Sequence, residues 1–157
     1  MTTMQHFRND DVFVTRMTGE HLEAIATIES ECFAEPWSAK SLEILLGTSG
    51  IAFVVLKDGI AVAYAGMMTV LDEGQITNVA VSRQYRRLGY GRLVVDALIN
   101  YANEHNFYNI SLEVRKSNSA AISLYENCGF EKCGIRKGFY RFPSEDAVIM
   151  SKTFKAN

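Results

Sequence analysis

Residues 75–104 read QITNVAVSRQYRRLGYGRLVVDALINYANE, and the parsing of this stretch decides the fold. Gln75 to Val81 predicts a short apolar strand, and Ser82 to Gly91 a polar loop carrying Arg86, Arg87, Gly89 and Gly91. From Arg92 onward Leu93, Val94, Ala97, Leu98 and Tyr101 recur at helical spacing, with Arg92, Asp96, Asn100 and Asn103 between them. That spacing predicts a long amphipathic helix with one buried face.

The first turn of such a helix has N–H groups without intrahelical partners and a partial positive charge, so it attracts anions. Gly89 and Gly91 lack a Cβ and let an anionic group approach the main chain, while Arg86, Arg87 and Arg92 add fixed positive charge. The expected guest is a phosphate or pyrophosphate. No Gly-Lys-Ser/Thr follows the glycines, which removes the mononucleotide P-loop. The dinucleotide fingerprint fails as well, for want of its third glycine and of an acidic residue downstream. Read alone, Arg86-x-x-Gly89-x-Gly91 also fits a plain strand-to-helix turn with solvated arginines.

Outward from this stretch the chain reads as one unit. Its 157 residues are enough for one domain with a sizeable core, and 48% hydrophobic against 22% charged residues is ordinary for a globular protein. We expect a polar tail over residues 1–11 and a single domain over 12–157. A net charge of −2 argues against a protein built to grip nucleic acid directly. Residues 1–11 lack the apolar stretch of a signal peptide, and the near-apolar run Ile60 to Leu71 is too short for a membrane span, so a cytoplasmic protein is expected. Cys32, Cys128 and Cys133 form no C-x-x-C pair and His6, His21 and His105 are scattered, so reduced thiols and no metal site are expected.

Upstream, Val12 to Met17 predicts a strand, Thr18 a cap for a helix ending near Phe33, and Ser38 a cap for a second helix ending at Gly47. Ile51 to Leu56 and Ile60 to Leu71 predict a hairpin across Lys57-Asp58-Gly59, followed by a turn at Asp72-Glu73-Gly74. Downstream, Asn109 to Val114 predicts a strand parallel to Gln75–Val81, because a strand, helix, strand succession requires a crossover. A helix from Ala120 to Asn127 follows, with Gly129 at its left-handed end, then strands Phe130 to Gly134 and Ala147 to Phe154 joined by a loop from Arg136 to Asp146.

Glu35-Pro36-Trp37-Ser38, Asn78-Val79-Ala80-Val81, Arg86-Arg87-Leu88-Gly89-Tyr90-Gly91, Leu112-Glu113-Val114-Arg115, the run Ser117 to Phe130 and Glu145 to Met150 follow one another in an order that resembles the GNAT acetyltransferase superfamily. Within it, the order is similar to the RimI branch, which acetylates the N-terminal alanine of a small-subunit ribosomal protein. The resemblance covers residues 12 to 154. It implies a mixed α/β fold: one central, mostly antiparallel sheet of six to seven strands, about four helices, and a parallel strand pair at the cofactor cleft. It implies acetyl-CoA as cosubstrate and direct attack by a protein N-terminal amine in a ternary complex. Pyrophosphate and pantetheine contacts then fall to Val79, Ala80, Val81, Arg86, Arg87, Leu88, Gly89, Tyr90, Gly91, Arg92 and Asn118, with Glu113 as base and Tyr125 as acid. Trp37 and Tyr140 become walls of the peptide groove. A GNAT acting on another amine, such as a lysine, a polyamine or a small molecule, and a noncatalytic CoA-binding module are the alternatives.

Each residue also has a plain structural reading. Glu113 lies on the strand face it shares with Ser111 and Arg115 and could pair with Arg115. Tyr125 could be a packed aromatic with its hydroxyl on backbone, Asn118 a simple N-cap, and Trp37 and Tyr140 core. Glu29, Glu31 and Glu35 could meet a basic acceptor tail or form a solvated helix face. The loop 136–146 is shorter than in the enterobacterial pattern and has Phe139-Tyr140 where two tyrosines are common.

Overall fold

A computed structural model describes residues 5, 6 and 11–154. Most of the predicted tail over residues 1–11 lies outside them. Within it Gln5–His6 (β1) pairs antiparallel with β2, Val12–Arg16. The other strands are β3 Gly50–Lys57, β4 Ile60–Val70, β5 Glu73–Val81, β6 Asn109–Arg115, β7 Glu131–Arg141 and β8 Ser144–Thr153. They form one eight-stranded sheet ordered β1-β2-β3-β4-β5-β6-β8-β7. Seven strands are substantial and the eighth is the two-residue β1, so the expected mixed sheet is present with its single parallel pair, β5 and β6.

Helices cover both faces. On one, α1 (Leu22–Cys32), α2 (Ala39–Leu42) and the turn Glu43–Leu46 after it bury Ile25, Ile28, Leu42 and Leu45 against Ala52, Val54, Tyr64 and Ala80. On the other, α3 (Tyr90–Glu104) and α4 (Ser119–Asn127) bury Val94, Val95, Leu98, Ile122 and Tyr125 against Val55, Ala63, Ala65, Ile110 and Leu112. Alternation along β6 is complete: Ile110, Leu112 and Val114 are buried and Ser111, Glu113 and Arg115 half-buried.

Four local expectations need correction. The second helix is a single α turn that tightens into a 3-10 turn over Glu43–Leu46, because Gly50 returns under it too closely for a further regular turn. A Cβ on Gly50 would lie 2.6 Å from the Ile44 carbonyl oxygen and 2.6 Å from Leu45 Cα. Gly50→Ala should therefore destabilise by about 1–3 kcal/mol, read as a lower urea midpoint at unchanged slope. The predicted turn at Asp72-Glu73-Gly74 is shorter: Leu71 takes the left-handed conformation (φ 54°) and β5 begins at Glu73. The helix predicted from Arg92 begins at Tyr90, so Tyr90 and Gly91 belong to its first turn.

The largest correction concerns residues 136–146, predicted as a loop. They are mostly strand: β7 continues to Arg141, turns at Phe142-Pro143, and β8 starts at Ser144. The ladder skips between Arg136 and Tyr140, and Gly138 (φ 62°) donates its N–H to Asp146 Oδ1 at 2.9 Å across the bulge. Apolar alternation is missing there because β7 is an edge strand exposed along nearly its whole length, so no buried face imposes a pattern. No helix among the described residues is long and apolar enough to cross a membrane.

Candidate active site

The parallel ladder is short. Glu73, Gly74 and Gln75 register with Asn109, Ile110 and Ser111, and there it stops. One residue later β5 carries a bulge: Met67 faces Ile76 and Gly66 faces Asn78, leaving Thr77 as the extra residue. The two strands part beyond this point. A cavity of about 610 Å³ opens in the split, lined by Thr77, Asn78 and Val79 from β5 and by Glu113, Val114 and Arg115 from β6. Asn118, Ala121 and Tyr125 close it from α4, and Glu29, Trp37 and Tyr140 from the opposite side. The two predicted groove walls, Trp37 and Tyr140, thus reach the same space as Glu113 and Tyr125.

Beyond the outer end of β5 lies the Arg/Gly loop. Gly89 is the N-cap of α3 with φ 86°, a conformation that L side chains enter only under strain. At Gly91 a Cβ would make ordinary contacts with Leu124 at 3.4 Å and Val81 at 3.5 Å, so the backbone there has no steric need of glycine. Arg86 turns back, donating from Nε to the Val81 carbonyl at 3.2 Å and from NH2 to Cys32 Sγ at 3.2 Å. Arg92 pairs with Asp96 one turn on, at 3.3 Å. Among the described residues Arg87 has no ion-pair partner and is exposed, as is Leu88. Tyr90 is buried in the core, so what it can offer a ligand is main chain. Asn118 caps α4, its Oδ1 accepting the Ala121 N–H at 3.1 Å.

Glu113 is held on both oxygens. Oε1 accepts from Gln75 Nε2 at 2.7 Å, and Oε2 lies 3.4 Å from Arg136 Nε. The pairing with Arg115 that parity allowed is absent, because Arg115 faces Glu145 at 3.2 Å, donates to the Phe142 and Pro143 carbonyls and stacks 4.3 Å over the Tyr140 ring. Glu145 also accepts the Ser117 N–H, and the Ser117 hydroxyl and N–H, with the Arg115 guanidinium, hold its carboxyl below the usual range. Tyr125 packs edge-on against Phe130, and among the described residues its hydroxyl has no hydrogen-bond partner. Burial, with Tyr140 and Cys128 beside it, pushes that phenol well above its usual range, so it stays protonated through neutral pH.

Opposite stands a carboxylate that the sequence reading misplaced. Glu29, expected on a wet helix face or against a basic tail, is 1% exposed. It accepts the Trp37 N–H at 2.9 Å, the Tyr64 hydroxyl, and the Asn78 amide at 3.4 Å. Burial and the Glu29 charge raise the Tyr64 phenol. Glu31 and Glu35 do face outward: Glu31 receives Ser82 and Arg83, and Glu35 pairs with Arg141 at 3.0 Å across the cavity mouth.

A split sheet, a helix N-terminus at its open end, and a carboxylate and a phenol on one cavity are features that a family must share to be of use. The model of the acetyltransferase (GNAT) family matches residues 22–130. The chain belongs to the GNAT family. Acetyl-CoA is therefore its cosubstrate and acetyl transfer its reaction. This GNAT enzyme is 38% identical over 132 residues to the ribosomal protein bS18-alanine N-acetyltransferase of Escherichia coli K12, covering 83% of this chain and 89% of the relative. To the protein of the same name from Haemophilus influenzae it is 35% identical over 132 residues, with 82% and 90% covered. The crystal structure of the E. coli ribosomal-protein-S18-alanine N-acetyltransferase superposes with a TM-score of 0.82 at 33% identity, over 100% of this chain and 96% of that one. A NatC complex bound to Gag peptide and CoA shares the fold at TM-score 0.81 and 20% identity.

Two residues of the GNAT site escaped the sequence reading. Gln75 was taken as plain strand, and nothing local marks it. Glu29 was detectable: it follows Ile25 by four residues and Ile28 by one, so helical spacing already put it on the apolar face.

Proposed function

We propose that the enzyme acetylates the N-terminal α-amine of a cytoplasmic protein, its acceptor being the alanine-starting N-terminus of a small-subunit ribosomal protein, with Glu113 as base and Tyr125 as acid. The observation that carries the reading is that a fixed carboxylate and a buried, protonated phenol line one cavity, in the split between β5 and β6. The names of the relatives support the acceptor. The acceptor ammonium gives one proton to Glu113, its nitrogen attacks the thioester carbonyl, the C–S bond breaks as sulfur takes the Tyr125 proton, and the second proton shed by the acylated nitrogen restores the Tyr125 phenol. An α-amine titrates near 7.7–8.0, so about a tenth is already neutral at pH 7, whereas a lysine near 10.4 is almost wholly charged. The base therefore has far less to do for the first than for the second. Main-chain groups of Val79, Ala80 and Val81 suit the pantetheine amides, and the Gly89–Gly91 turn with Arg87 suits the pyrophosphate.

Acetyl-CoA should raise the apparent melting temperature while NAD and ATP leave it unchanged. With acetyl-CoA present, mass spectrometry should find one added acetyl group on the α-nitrogen of an alanine-starting ribosomal peptide and none on spermidine or on an N-terminally blocked lysine peptide. Acetylation of the latter pair alone would replace this acceptor by another amine. Stabilisation by acetyl-CoA without turnover of any of them would leave a CoA-binding module.

A further inference from the structure

The Glu113 carboxylate is gripped from outside the cavity by a relay that begins where the two strands part. Ser111 and Gln75 are the last registered pair of the β5–β6 ladder. The Ser111 hydroxyl donates to Gln75 Oε1 at 2.9 Å, and Gln75 Nε2 donates to Glu113 Oε1 at 2.7 Å. With its carbonyl oxygen occupied by Ser111, the Gln75 amide can turn only its NH2 toward the carboxylate. Glu113 lines the cavity and Gln75 is not among the residues that do. The second grip, Arg136, is weaker on physical grounds: its side chain is 58% exposed and 3.4 Å from Oε2, so water and salt screen it.

A glutamate has three rotatable side-chain bonds, and a general base must sit within hydrogen-bond reach of the proton it takes. We propose that Gln75, oriented by Ser111, is a positioning residue that fixes the Glu113 carboxylate toward the acceptor amine. The proposal rests on Glu113 being the base. The proton moves from the ammonium nitrogen to a remaining lone pair of the carboxylate, one N–H bond breaking and one O–H forming, while Gln75 donates throughout and exchanges nothing.

The test is steady-state kinetics of the full chain with acetyl-CoA and an alanine-starting peptide. Gln75→Leu, and Gln75→Met, which keeps the length of the side chain but removes the donor, should each lower kcat about tenfold, the worth of one charge-assisted hydrogen bond. Both KM values should stay within about twofold and Ser111→Ala should lose less, as expected for a group acting only on the chemical step. In a Glu113→Gln background, Gln75→Leu should change nothing further. A loss of the same size in both backgrounds, or an unchanged kcat, overturns the positioning role. A Glu113→Gln variant that keeps full kcat, or a wild type that leaves the peptide unmodified, removes the reading beneath it instead. The acetyl-CoA-induced thermal shift, measured on every variant, separates misfolding from a kinetic effect.

Discussion

Glu113→Gln is expected to lower kcat by about 10²–10⁴-fold, the usual contribution of a positioned general base. The replacement keeps the length and shape of the side chain, so the thermal shift produced by acetyl-CoA should be retained. What it removes is the capacity to accept a proton from an ammonium group. The pH dependence of the residual rate follows from the acceptor rather than from the enzyme. With an α-amine near 7.7–8.0, raising the pH from 7 to 9 takes the neutral fraction from about a tenth to about nine-tenths. The variant should therefore recover up to about tenfold over that range, from amine that has already lost its proton in solution. Stopped assays at fixed acetyl-CoA across pH 6.5–9.5 give both numbers. A loss below about threefold at pH 7 would mean that another group takes the proton.

The second large effect is on stability. Glu29→Ala should cost roughly 3–5 kcal/mol, because it removes the acceptor of the Trp37 N–H, the Tyr64 hydroxyl and the Asn78 amide at a carboxylate only 1% exposed. Each unmet buried donor costs about 1–3 kcal/mol, and a domain of this size has only about 5–15 kcal/mol in all. Denaturant unfolding reads the loss directly. Glu29 also ties the Glu35-Pro36-Trp37 turn to β4 and β5, so a folded fraction of the variant should show a raised KM for the acceptor peptide as the Trp37 wall loosens. A stability within 1 kcal/mol of the wild type would mean that this network contributes little. Asn78 Oδ1 has no hydrogen-bond partner among the described residues.

The local rules worked best where a buried face imposes a period. The long helix announced itself through Leu93, Val94, Ala97, Leu98 and Tyr101, and β6 through strict alternation from Asn109 to Arg115. Caps at Ser38 and Asn118 were legible for the same reason, since a short polar side chain before an apolar run satisfies orphan N–H groups within a few residues. The outer half of β7 and its turn into β8 were not, because a strand lacking a buried face has no sequence period to read. Residues 136–146 looked like a loop for that reason, although two registered strands run through them.

Sequence alone thus determined the order of elements, the parallel pair and the turn before α3, and the family pattern nominated Glu113 and Tyr125. The tertiary structure decided which groups those residues meet. Gln75 and Glu113 are 38 positions apart, Glu29 and Tyr64 are 35 apart, and Glu35 and Arg141 are 106 apart. Periodicity and capping act over one or two turns of chain, whereas these contacts join residues that only the folded sheet and the elements packed on it bring together.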